Sequence, residues 1–197
     1  MGNRRLGAQR LNALMKRGST ETDTSYQAGD GAKNMVVSHN VRKEGKLIIT
    51  EIAIDLQGKG SASIRSHSSN DTPIGEHGAT GAYLLQWNDA THGDFLTAEA
   101  IVVEASNAEA AMSLSSGDAI EDKGDTVANR ADVLPGIITN AAGGTHTTDD
   151  GDGASADSAA LVNGEYLYLT ADAAATTTFT AGKILVRLIG ADTSWGF

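Results

Sequence analysis

The sequence predicts an all-β fold, an antiparallel β-sandwich or jelly roll with a short basic N-terminal arm, on three observations. Apolar and polar residues alternate over many short segments. Turns rich in Gly, Asp, Asn and Ser separate those segments. Helical periodicity is confined to the first 17 residues and to a single turn over 106–111. Short alternating strands between such turns are the signature of two packed antiparallel sheets, and jelly-roll and immunoglobulin-like topologies fit it equally.

In the arm, Ala8, Leu11, Leu14 and Met15 share one side of a helix, with arginines around them. A lone helix of this length is marginal in water, so it is expected to order against a partner or against its own domain. Gly18 stops it, and a polar linker follows. The expected organisation is a docking arm over 1–17, a linker over 18–34 and a β-sandwich domain over 35–197.

From about Met35 the period changes to two. Residues 46–56 are the clearest case, with Ile48, Thr50, Ile52, Ile54 and Leu56 alternating with Ile49, Glu51, Ala53 and Asp55. A short strand is expected around Ala62 and Ile64, then a polar loop over 66–81 containing Pro73. Residues 83–87 and 95–105 read as strands joined by a hairpin turn over 88–93. In the second half, 111–115, 133–139, 162–170 and 183–189 read as strands. Residues 140–160 carry no large apolar side chain and are expected to form an exposed or partly disordered loop.

Composition narrows the class. The chain has 197 residues, enough for one core, and aromatics make up only 5%, so that core must come from Ile, Val, Leu and Ala. There is no Cys, which excludes disulfides and thiolate chemistry. No apolar run has the roughly 18 residues of a membrane helix, and no apolar signal segment follows the basic N-terminus, so a soluble, non-secreted chain is expected. Charge is strongly partitioned. Residues 1–17 carry Arg4, Arg5, Arg10, Lys16 and Arg17 with no acid, a charge of +5, and the remaining 10 basic and 25 acidic residues make the body −15. Such a body does not grip nucleic acid; the arm is the one part suited to do so.

Candidate chemistry is sparse. Asp149, Asp150, Asp152 and Asp157 cluster hard oxygen ligands, and Asp150-Gly-Asp152-Gly resembles the opening of a calcium loop, but the remaining ligand positions do not follow, so a solvated acidic loop is expected. His39, His67, His77, His92 and His146 are scattered without metal-ligand spacing. Asp89, His92 and Asp94 fall close together, as polar decoration of a hairpin turn or as an acid-base group. There is no Gly-x-Ser-x-Gly elbow and no phosphate-cradling glycine loop. No catalytic residue, metal or cofactor is therefore assigned. Trp195 and Phe197 are costly to leave in water, and are expected to cap this domain's core or to enter a pocket on a neighbouring subunit.

The opening MGNRRLGAQRLNAL and the pair of strands within NGEYLYLTADAAATTTFTAGKILVRLIGAD, residues 163–192, resemble small structural proteins of tailed bacteriophages of marine and aquatic bacteria, in particular head decoration or cement proteins. The resemblance implies a β-sandwich on the outer capsid surface, at symmetry axes or capsomer junctions, often as a trimer. It implies the major capsid protein as partner, with no membrane and no nucleic acid. In that role Arg4, Arg5, Arg10, Lys16 and Arg17 would bind an acidic surface and Leu11, Leu14 and Met15 would fill an apolar groove, while Trp195 and Phe197 make the subunit contact. The alternative is a glycan or cell-surface binding module of the kind found on phage fibres and spikes, using the 66–81 and 140–160 loops. A hydrolase or lyase with its site hidden in a β-sandwich, and an arm turned inward onto the genome, are the remaining classes.

Overall fold

The computed structural model describes residues 28–60, 63–66, 71–107, 111–138, 145–149, 160–171 and 178–192. The arm, most of the acidic loop, and Trp195 and Phe197 lie outside the described residues. The fold is mostly antiparallel β-structure. The first sheet has the order β1-β2-β12-β7-β10, built from Val36–Glu44, Leu47–Asp55, Lys183–Ala191, Asp94–Glu104 and Thr145–Asp149. The second has the order β4-β11-β8-β9, from Thr72–Pro73, Tyr166–Ala171, Ala111–Gly117 and Ala131–Ile138, with β6 (Leu85–Gln86) also pairing β11. A small pair joins β3 (Ile64–Arg65) to β5 (Gly75–Glu76).

Alternation sets the faces. In β2 and β12, Ile52, Ile54, Ile184, Val186 and Leu188 point inward and are buried, and Glu51, Ala53, Leu185 and Arg187 point outward. From the second sheet Met112, Leu114, Leu134, Leu167 and Leu169 join the same apolar cluster. The core is aliphatic, as the composition requires, with Trp87 and Phe179 as its large rings. Hairpin β1–β2 closes over Gly45 and Lys46, where Gly45 takes φ +66°, the left-handed backbone of a two-residue turn. Pro135 sits in edge strand β9 beside a register shift, where its missing N–H removes no ladder bond.

Register in the first sheet is held by charge as well as by burial. Arg187 stands opposite Glu51 on one side and Glu99 on the other. Its Nε donates to Glu51 Oε1 at 3.0 Å, and its Nη1 pairs with Glu99. Arg42 adds bonds to Glu51 and, at 2.8 Å, to Glu44. Arg187→Met leaves Glu99 and Glu51 facing an uncharged side chain, with Arg42 still paired to Glu51. It is expected to cost about 1–2 kcal/mol in urea unfolding near 50 mM salt, and less near 1 M, because salt screens the repulsion it creates.

Several expectations are corrected. Residues 85–86 and 94–104 do not form a hairpin: β6 belongs to the second sheet and β7 to the first, and the turn between them is a helical turn, α1 (Asp89–His92). The strands of 163–192 likewise do not pair, because β11 and β12 lie in different sheets. The stretch between them exceeds a hairpin turn, and Phe179 within it is buried in the core. Residues 28–34 are bonded to the body. Gly29 N–H bonds Tyr83 C=O, and Ala32 and Met35 are fully buried. The 66–81 loop holds β4, β5 and a buried Ile74, elements of two residues that are too short to show alternation. Within 140–160, Thr145–Asp149 pairs with β7; an edge strand of β-branched residues pairs through its backbone and needs no large apolar side chain.

Candidate functional site

Three arrangements of polar side chains stand out. The first is where α1 meets the first sheet. Asn88 caps α1, its side chain accepting from Ala90 N–H at 2.9 Å, and Gly93 ends it with φ +77°. The four-residue turn drives His92 inward, fully buried. Its Nδ1 is hydrogen-bonded to Thr50 Oγ1 at 2.8 Å, and its ring stacks on Trp87 with centroids 4.7 Å apart. His39, on the inward face of β1, lies parallel to it at 6.3 Å. Phe95 meets Trp87 edge-on at 5.7 Å. Burial, then the neighbouring His39, pull the His92 imidazole down from 6.5 to about 4, so the ring is neutral at pH 7.

The backbone allows this seat because residue 190 has no side chain. A Cβ there would lie 2.0 Å from the His92 carbonyl oxygen. Beside it, Val41, Arg42, Lys43, Asp89, Thr91 and Asp192 border an open cleft of about 500 Å³. Across it Lys43 pairs with Asp192, and Arg42 pairs with Glu44 and Glu51 outside it.

The second arrangement ties the second sheet on the side away from the apolar cluster. Ser115 Oγ is 2.9 Å from both Asp132 Oδ1 and Thr170 Oγ1. Thr170 Oγ1 also lies 3.2 Å from Ser113 C=O, so its one proton is shared between that carbonyl and Ser115 Oγ, and Arg130 bridges Asp132 and Asp71. Ser115 donates its one proton to the carboxylate, so the set cross-links β8, β9 and β11 and offers no imidazole to activate a nucleophile. Nearby, Tyr168 O–H donates to Ala119 C=O at 2.5 Å and accepts from Glu121 N–H at 3.0 Å. Burial pushes that phenol well above its ordinary value, and it acts as a pin for the loop after β8.

The third is the outward face of the first sheet. Ala53, Leu185 and Ile101 form one cross-strand row, Glu51, Arg187 and Glu99 the next, and Ile49, Ile189 and Thr97 the third. Val103, Leu47 and Leu96 extend it and are 59%, 42% and 42% exposed. Among the described residues no second layer covers this face.

The structure separates the acid-base group Asp89, His92 and Asp94, because His92 turns into the core toward Thr50 and Asp94 is exposed at the start of β7. Among the described residues no group of three or more His, Cys, Asp or Glu is placed to hold a metal ion. Of the histidines, only His39 and His92 come together; His77 lies exposed in a turn, His67 is outside the described residues, and the His146 side chain is not described. Arg4, Arg5, Arg10, Leu11, Leu14, Met15, Lys16, Arg17, Trp195 and Phe197 lie outside the described residues, as do Asp150, Asp152 and Asp157. Sequence reasoning placed His92 in a polar turn and missed its burial; the flanking Trp87 and Phe95 are the signal that marks it. Comparison with known proteins gives no match, whether to family models, curated proteins or solved structures.

Proposed function

We propose that this chain is a structural protein of the virion, a decoration or cement protein that binds and stabilises the outer capsid surface, with its two antiparallel sheets as the layers of a β-sandwich. The observation that carries it is the charge partition, an arm of +5 joined to a body of −15. A basic, one-sided apolar segment is built to dock on an acidic surface, while a strongly acidic body keeps a dense coat of copies apart and soluble. The body's polar side chains support a scaffold role, since the Arg187 ladder and the Ser115 set tie strands together and leave no ready catalytic arrangement among the described residues. Many copies on one shell gain from avidity even where each arm binds weakly.

The test is co-sedimentation of the full-length chain with undecorated capsid shells, beside a variant lacking residues 1–17. Saturable binding of the full chain and its loss on deletion, with unchanged circular dichroism of the body, is the expected outcome. Equal binding by the truncated chain would overturn the arm's role. Absence of shell binding, with retention on cells or a glycan array, would replace the capsid function by glycan recognition.

A further inference from the structure

We infer that the cleft between α1 and the β1–β2 hairpin is the seat of this chain's own Trp195, carried by the segment Thr193-Ser194-Trp195-Gly196-Phe197. The cleft measures about 500 Å³ and opens beside the point where α1 meets Gly190. Its apolar side chains are Val41, Ile48 and Ala90, of which Ile48 is buried, Val41 half-buried and Ala90 exposed. Two acceptors stand among them, the Asp89 carboxylate and the Thr91 hydroxyl. That combination matches an indole, which has a large apolar body and one N–H that donates and cannot accept. Lys43 and Asp192 neutralise each other across the cleft, so an uncharged occupant suits it better than an ion. The segment 193–197 has no charged side chain.

Position in the chain selects the occupant. Asp192, the last described residue, is itself a wall of the cleft. Its N–H donates to Lys46 C=O at 2.8 Å and its carboxylate holds Lys43, so the point from which the segment leaves is fixed. No linker separates that point from the seat. Trp195 Cα lies at most about 11 Å from Asp192 Cα, and Thr193 and Ser194 between them are residues that turns accept. Seating the ring takes about 150–250 Å² of apolar surface out of water. On its own chain the ring avoids the loss of translational and rotational freedom that entry into a neighbour's cleft costs. Trp195 thus closes its own domain at the α1 end, in place of the subunit contact that the resemblance implies. The seat does not rest on the capsid role, and failure of shell binding leaves it untouched.

The experiment uses the full-length chain labelled with 5-fluorotryptophan and read by fluorine NMR. The chain has two tryptophans, so two signals appear, and Trp195→Phe assigns them. The Trp195 signal should stand apart from that of free 5-fluorotryptophan and keep its width when a soluble gadolinium chelate is added. Both properties should survive about hundredfold dilution, as a seat within one chain requires. Ala90→Glu places a carboxylate in the seat from an exposed position of α1, so the fold is kept, which an unchanged Trp87 signal verifies. In that variant the Trp195 signal should move to the free position and broaden with the chelate. Urea unfolding supplies a second reading: Trp195→Ala and Ala90→Glu should each lower the midpoint, and the double variant no further than the lower of the two. A Trp195 signal already at the free position in the unsubstituted chain would overturn the inference. So would protection that persists in Ala90→Glu, which puts the ring elsewhere, or additive losses in urea. Protection that disappears on dilution would assign the ring to a neighbour's cleft and overturn the seat within one chain.

Discussion

Gly190→Ala is expected to destabilise the fold by about 3 kcal/mol or more. The added Cβ would sit 2.0 Å from the His92 carbonyl oxygen and 3.0 Å from its carbonyl carbon. Both are backbone atoms, so no side-chain rotation relieves the clash. Relief requires α1 to lift from β12, which pulls His92 from Thr50 and from its stack on Trp87. Gly45→Ala is the comparison. Nothing lies within 4 Å of a Cβ at residue 45, and the cost there is only the left-handed backbone at φ +66°, about 1–2 kcal/mol. Urea unfolding of the two variants ranks them; a Gly190→Ala protein with an unchanged midpoint would show that α1 is not seated against β12.

The second large effect is on acid stability. His92 titrates near 6.5 in the unfolded chain and near 4 when buried beside His39. Between those values the unfolded state holds a proton that the native state refuses. The stabilisation is therefore complete above about pH 6.5 and is lost as pH falls toward 4, a decline of about 3 kcal/mol. His92→Gln removes the titration. The variant is less stable at pH 7, because the stack on Trp87 is lost, but its stability between pH 6.5 and 4 should fall less steeply than the native protein's, by about 1.4 kcal/mol per pH unit. Carboxylates contribute to both proteins, so the difference in slope isolates the histidine. Identical slopes would assign the acid sensitivity to other groups.

What was legible in the sequence follows from periods. Residues 50–56 alternate because one face is buried and the other is not, and β2 lies there with Ile52 and Ile54 inward; β12 follows the same faces, with Val186 and Leu188 inward. The aliphatic core was legible from the scarcity of aromatics. Strands of two residues, such as β4 and β5, carry no period, and β10 carries no large apolar side chain, so neither was legible.

The candidate surfaces divide the same way. The sequence by itself determined the β class, the strand faces and the opposition between a basic arm and an acidic body, because these depend on local alternation and on summed charge. Tertiary structure alone decided that β6 and β7, and β11 and β12, part company into different sheets, since pairing partners are chosen by core burial across long separations. It alone brought His92 beneath Thr50 and beside His39, 42 residues away from the first of these, and gathered Glu51, Arg187 and Glu99 into one ladder. Contacts of that range are set by which faces meet when the sheets close on a common core, and no local pattern encodes them.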